Sequence, residues 1–194
     1  PMRFSRNMVV INEGDNLVLV NTVRLGGEEL EKLRALGNVT HVIRIAGFHG
    51  SDDRFYKQEF GAEVLAVEGQ TYFTGVDPAK GEIYFEADRL LKAGDELPIS
   101  GAKLHVIDTT PPEGVLWMPV GGGTLITGDS LQNWCTTTGF NWIAKVGMRL
   151  MGFVRPANLG PGWIKACKPT EAQLRAVLEP HFDNVLPGHG EAMI

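Results

Sequence analysis

Cysteine is scarce in this chain of 194 residues: the two present, Cys135 and Cys167, lie far apart and form no Cys-x-x-Cys pair. They read as reduced core or surface thiols of a cytosolic protein, with a single disulfide as the alternative. Long apolar runs are missing too. None approaches the roughly 20 residues that span a bilayer, and no charged-then-apolar leader opens the sequence. No membrane partner and a cytoplasmic location are therefore expected. Basic charge is also short. With 18 Lys and Arg against 23 Asp and Glu, the net charge is −5, which argues against a nucleic-acid surface, where phosphates require clustered Lys and Arg. There is no internal repeat, linker or low-complexity stretch.

What is present is ordinary globular material, 43% hydrophobic and 21% charged, in a length suited to one domain over residues 1–194 that buries a substantial core. Met8 to Ile11 and Leu17 to Val20 flank a polar Gly-containing turn and predict a hairpin. Leu30, Leu33 and Leu36 have helical spacing over Glu28 to Leu36, ended by Gly37. A β-branched run predicts a buried strand over Thr40 to Ala46, followed by the loop Gly47 to Asp53. Asp53 is expected to cap a helix from Arg54 to Phe60. Glu63 to Val67, Ile83 to Phe85, Glu96-Leu97 and Lys103 to Ile107 read as strands. Pro78 and Gly81 suggest a loop, and Ala87 to Leu91 a helical turn. Val115 to Pro119 and Thr124 to Thr127 form a hairpin around three glycines. Thr138 to Phe153 carries a helical pattern, with Phe140, Ile143, Ala144, Gly147, Leu150 and Met151 on one face. Arg155 to Gly162 reads as a loop. Thr170 opens a capping box for a helix through Leu178, and Phe182 to Leu186 is the last strand. Strands clustered into hairpins, with helices between, predict two packed sheets covered by helices.

Two stretches carry the chemistry. Leu125-Ile126-Thr127-Gly128-Asp129 is a buried-strand pattern ending in a carboxylate, and Leu186-Pro187-Gly188-His189 ends in a turn that presents an imidazole. They suit a metal site, and equally a plain acid–imidazole hydrogen bond.

In this order the chain resembles the metallo-β-lactamase fold superfamily over nearly its full length. Leu17 to Thr22 is similar to the hairpin strand that ends in Asp-Thr-Gly in that family. Val39 to Ile45 is similar to the strand leading into its His-x-His-x-Asp-His loop, Thr127-Gly128-Asp129 to its bridging aspartate, and Leu186 to Gly190 to its last metal histidine. The resemblance implies an α+β fold, a four-layer αβ/βα sandwich of two mostly antiparallel or mixed sheets flanked by helices.

It also implies a metal site, but here the motif is degraded. One inserted residue puts His49 at the second histidine and Asp52 at the last. Three put His49 at the first, Asp53 at the aspartate and Arg54 at the last. The middle histidine falls within Thr109 to Gly114, best matched by Pro111, which cannot coordinate. At most four of seven ligand positions are filled: His49, one of Asp52 and Asp53, Asp129 and His189. Asp129 beside Asp52 or Asp53 calls for positive charge, since neighbouring carboxylates do not both ionise cheaply. The charge is either a single Zn, Mn or Fe ion, or Arg44, Arg54 or a protonated histidine with no ion.

The implied function is a hydrolase-like protein with at most one metal, acting on a small ester, lactone or phosphoester, with Asp129 and His189 as catalytic residues. The alternative is an inactive relative binding a small molecule in the old cleft without metal. Trp134, Arg155 and Trp163 are the implied ligand wall. His41 and His105 read as structural, and His181 as a helix-end cation. Ser130 reads as a turn residue. The helix within Phe140–Phe153, with Lys145 and Arg149, suits a partner subunit, as in a homodimer, or a membrane surface, though ordinary packing is favoured.

Overall fold

The computed structural model describes residues 5–74 and 80–194. Pro78, expected to help form a loop, lies outside the described residues. The chain opens with an antiparallel hairpin, β1 (Val9–Glu13) and β2 (Asn16–Val20). In β2 successive side chains point to opposite faces, and both faces are buried. Val18 and Val20 enter one apolar cluster, Leu17 and Leu19 another. A strand apolar on both sides belongs inside a sandwich, and the rest of the fold supplies the layers.

Helix α1 (Gly27–Leu36) and helix α2 (Asp53–Phe60) make the crossovers that let β3 (Asn38–Arg44) and β4 (Glu63–Val67) pair parallel with their neighbours. After the short pair β5 (Tyr72–Phe73) and β6 (Ile83–Phe85), β7 (Arg89–Leu91) completes a sheet of order β1-β2-β3-β4-β7. The second sheet holds β8 (Lys103–Ile107), β9 (Glu113–Met118), β10 (Thr124–Thr127) and, from the far end of the chain, β13 (Asn184–Pro187). Between them in sequence come β11 (Leu131–Gln132), α3 (Trp142–Leu150), β12 (Asn158–Leu159), α4 (Pro161–Cys167) and α5 (Glu171–Leu178).

Three apolar clusters separate four layers. Val18, Val20, Ile43, Leu65 and Leu91 of the first sheet meet Leu104, Leu116 and Ile126 of the second. Leu17, Leu19, Val42 and Val64 face Leu33 of α1 and Tyr56 of α2. Val115, Leu125 and Val185 face Trp163 of α4 and Val177 of α5. This is the expected αβ/βα sandwich.

Several local expectations fail for tertiary reasons. Ala87 to Leu91 is no helical turn: its backbone completes the open edge of β4, with Leu65 opposite Arg89. Glu96-Leu97 is irregular and forms no strand. The segment Arg155 to Gly162 is only partly loop, because Asn158-Leu159 pairs with β11 and Pro161 starts α4, where its missing N–H costs nothing. In α3 the buried face is Phe140, Ala144 and Met148, while Ile143 and Leu150 are exposed. The Thr170 capping box forms as expected, its hydroxyl accepting from Gln173 N. Both cysteines are free. Among the described residues no helix is long and apolar enough to cross a membrane.

Candidate metal centre

Strand register builds the site. β10 and β13 run parallel with Thr127 opposite Pro187, so Asp129 and His189, each two residues past a paired end, arrive side by side. The N–H of Gly188 donating to Thr127 O at 2.9 Å continues the pairing into the turn. The result is His189 Nε2 at 3.0 Å from Asp129 Oδ1.

The third side chain comes from the other sheet. Beyond β3 the loop carrying His49 is fastened on all sides. Asn21 Oδ1 accepts from Ile45 N and Ala46 N at 3.2 and 3.1 Å, and Gly114 N donates to Ile45 O at 2.7 Å. The buried Arg44 guanidinium turns inward, donating to the carbonyls of Ala46, Gly47 and Thr71 at 3.3, 2.6 and 3.0 Å. Gly50 has φ +100°, and a Cβ there would meet the Arg44 side chain at 2.8 Å; only glycine lets the loop close over that arginine. The loop delivers His49 Nε2 to 3.1 Å from His189 Nε2 and 3.5 Å from Asp129 Oδ1.

Among the described residues, these three are the metal-ligand-type side chains whose donor atoms all lie within 4.8 Å of one another. Their mutual spacings of 3.0, 3.1 and 3.5 Å bracket the edge of about 3.3 Å expected for a tetrahedron with bonds near 2.0–2.1 Å to a central zinc. His189 Nδ1 lies 3.2 Å from the Ser5 carbonyl. Donation there leaves Nε2 with a lone pair facing a carboxylate oxygen and a second imidazole. Three electron-rich atoms in contact require a positive centre, either protons on the imidazoles or a cation. His49 Nδ1 and Asp129 Oδ2 are buried with no hydrogen-bond partner, which fits a site whose charge is not balanced by protein alone. The donor set therefore fits one divalent ion.

Burial works against the Asp129 carboxylate, but when protons on the imidazoles supply the positive centre, the His49 charge and the hydrogen bonds from His189 and His49 outweigh it and hold Asp129 far below the usual carboxylate range. The opposite happens at Glu113, the first residue of β9. Buried completely and repelled by Asp129, it is pushed up to about 8, against the hydrogen bonds it accepts from Ser130 and Gly47. Its two oxygens accept from Ser130 N at 2.7 Å and Gly47 N at 3.2 Å, which ties the aspartate loop to the histidine loop. In the sequence it lies within Thr109 to Gly114, where Pro111 is the expected match to the middle histidine. The available signal was an acid set immediately before an apolar strand. Pro111 has a different use: its ring abuts Gly47, where a Cβ would meet it at 2.6 Å.

The structure brings together His49, Asp129 and His189 and sends the other expected ligands elsewhere. Asp52 is paired with Arg6 at 2.6 Å. Asp53 neither caps α2 nor belongs to the converging group, although it feels the His49 charge. It is buried, accepting from Thr22 Oγ1 at 2.5 Å and Tyr72 OH at 2.6 Å, and burial raises its pKa despite those bonds. Arg54 is exposed, and Arg44 is spent on carbonyls. Trp134 stacks on the His189 ring, centroids 5.7 Å apart and planes 26° off parallel. With Gln132, Met148, Met151 and Phe153 it lines a cavity of about 220 Å³ beside Asp129 and His189. Arg155 and Trp163 are not in that wall. Arg155 is exposed, and its backbone meets the wall, the carbonyl accepting from Trp134 N and the N–H donating to Phe153 O. Trp163 is core, packed with Leu125, Val177 and Val185. A second cavity of about 170 Å³ lies on the His49 side, lined by Arg44, Phe48, Tyr72, Phe73 and Tyr84 among others.

No protein-family model matches the sequence, nor does any curated protein. Solved structures do match. The metallo-β-lactamase DIM-1 superposes with a TM-score of 0.62 at 14% identity, covering 98% of this chain and 81% of its own. A class B3 metallo-β-lactamase with an active-site glutamic acid gives 0.60 at 15% identity, with 96% and 73% covered. The di-zinc class B3 enzyme LRA-12 from an Alaskan soil metagenome gives 0.55 at 16% identity, with 93% and 71% covered. This chain has the metallo-β-lactamase fold.

Proposed function

We propose, from that fold, that the chain is a metallo-hydrolase-like protein with one divalent ion held by His49, Asp129 and His189, acting on a small carboxylic ester or lactone. The observation that carries the reading is the convergence of two imidazole Nε2 atoms and one carboxylate oxygen at tetrahedral spacing. Three protein ligands leave a fourth position open, as catalytic rather than structural sites do. When bound, such an ion polarises a carbonyl and acidifies water from 15.7 toward about 7. Two imidazoles and a carboxylate suit zinc, and equally ferrous iron or manganese.

The chain's own residues do the rest. The Ser5 carbonyl and the Trp134 ring fix the His189 imidazole. Glu113 holds the two loops at their separation. Trp134, Met148, Met151 and Phe153 form an apolar wall that takes the acyl part of a substrate and keeps water from that side. A cavity of about 220 Å³ exceeds the ~150 Å³ that holds a benzene ring, so it takes a group of roughly six to nine carbons. Among the described residues Arg44 is the single Lys or Arg lining either cavity, and its Nε, Nη1 and Nη2 donate to backbone carbonyls. With no second Lys or Arg among the described residues of these walls to hold a phosphoryl dianion, esters and lactones are favoured over phosphoesters.

The alternative, an inactive relative, draws on the same cluster. Protonated His49 or His189 paired with Asp129 balances the site without an ion, and the apolar cavity remains for a small ligand. Zinc titration of chelator-treated protein, followed by calorimetry and by melting temperature, separates the two. One equivalent bound, a raised melting temperature and an affinity at least 100-fold lower in Asp129→Asn support the hydrolase-like reading. If zinc, ferrous iron and manganese all fail to bind, the metal-free reading takes its place. A p-nitrophenyl ester series from acetate to dodecanoate then reads the cavity, with rates expected to fall beyond roughly octanoate.

A further inference from the structure

Helix α3 leaves an apolar face uncovered. Its buried side is Ala144 and Met148, packed with Phe140 and Trp134. Its outer ridge is Trp142, Val146 and Leu150, spaced i, i+4, i+8, at 75%, 54% and 84% exposure, with Ile143 at 42%. These four side chains span an arc of roughly 100° on the helix. Lys145 and Arg149, both exposed, sit along one edge of it.

The charge within the segment that carries this face is one-sided, although the Glu191 carboxylate reaches its start by accepting from Cys135 N and Thr136 N. From Ser130 to Thr170 there is no Asp or Glu, while Lys145, Arg149, Arg155, Lys165 and Lys168 all lie there. The other segments hold thirteen basic and twenty-three acidic side chains, a net charge of −10 that offsets the +5 of this stretch. The start of α4 lies next to the segment that follows α3, with the Gly162 backbone against the Phe153 ring. An acidic protein thus carries, in one segment, an apolar ridge with an exposed tryptophan and charged side chains that are all basic.

We propose that this face docks on an anionic phospholipid bilayer, with the α3 ridge in the headgroup–acyl boundary and the surrounding Lys and Arg on lipid phosphates. Tryptophan suits that boundary, having an apolar ring and a polar N–H. The acidic remainder is repelled by the same surface, which fixes one orientation. A second copy fits less well. The ridge offers on the order of 500 Å² against the ~800 Å² per partner of a stable dimer, and a symmetric contact would set Lys145 and Arg149 against their own copies. Met151, half-exposed, also lines the cavity beside Asp129 and His189, so docking would bring that cavity to the bilayer surface. The proposal stands whether or not the cluster holds an ion.

The test is co-sedimentation of the 194-residue chain with vesicles of phosphatidylglycerol and phosphatidylcholine mixed equally, and with phosphatidylcholine alone. We expect salt-sensitive binding to the mixed vesicles, at least tenfold weaker on the neutral ones, with a blue shift of tryptophan emission that Trp142→Ser removes. The Trp142→Ser/Leu150→Ser variant should lose binding at least tenfold, and Lys145→Gln/Arg149→Gln about 30-fold at low salt, both with unchanged melting temperature. Absence of binding to the mixed vesicles, or equal binding by the serine variant, overturns the proposal. So does a dimer in sedimentation equilibrium that the serine substitutions dissolve, since the ridge would then be a self-interface.

Discussion

Replacing Glu113 by glutamine should reverse its effect on stability between acid and alkaline pH. The wild-type carboxyl accepts from both Gly47 N and Ser130 N. A side-chain amide has only one oxygen, so one buried N–H faces an NH₂ group, at a cost of about 1–3 kcal/mol. Against this stands the charge. Burial and the neighbouring Asp129 raise Glu113 from 4.5 to about 8. A folded pKa above the unfolded one means that the native state holds the proton more tightly. Its contribution is complete below pH 4.5, declines as pH rises and is gone above about 8. That interval corresponds to on the order of 5 kcal/mol. Glutamine has no such dependence, and other titrating groups are shared by both proteins. The difference in unfolding free energy, wild type minus Glu113→Gln, should therefore be positive by about 1–3 kcal/mol at pH 4.5 and fall by several kcal/mol by pH 9. Urea denaturation followed by tryptophan fluorescence, with chelator present throughout, measures it. A difference constant within about 1 kcal/mol across that range would refute the assignment of Glu113 as a buried, proton-holding tie between the two loops.

Tyr72→Phe removes the 2.6 Å hydrogen bond to the buried Asp53 carboxyl and should cost about 1–3 kcal/mol in urea denaturation. The same change at the less buried Tyr84 should cost under about 0.5 kcal/mol. Thr170→Ala breaks the capping box of α5 and should lower stability by about 1 kcal/mol. Because Thr170 is remote from the three converging side chains, zinc affinity should stay unchanged in that variant.

The layers were readable in the sequence because burial writes itself into alternation. Leu17 to Val20 is apolar at every position, and only a strand covered on both faces needs that. Asp129 and His189 were readable for a related reason: each follows a short buried strand through a glycine turn, and parallel pairing of those strands makes the tips neighbours. His49 was legible as the lone imidazole in the loop after β3. The fates of Asp52 and Asp53 were not, because their partners are distant in the chain. Arg6 lies 46 residues from Asp52, and Thr22 lies 31 from Asp53. Glu113 was hidden by the search for a histidine in its segment, and its role depends on two backbone N–H groups that no side-chain pattern reveals. In α3, overlapping sets of apolar positions have helical spacing, and periodicity alone does not say which packs on Trp134. The Arg155–Trp163 wall failed because Pro161 starts a helix that turns Trp163 into the core.

The central claim is that His49, Asp129 and His189 converge on one ion. An anomalous difference map from crystals grown with zinc, recorded at the zinc absorption edge, tests it directly. The account predicts a single strong peak at about 2.0–2.2 Å from both Nε2 atoms and an Asp129 oxygen. A map with no peak between those three atoms, or with its zinc held by other residues, would contradict it.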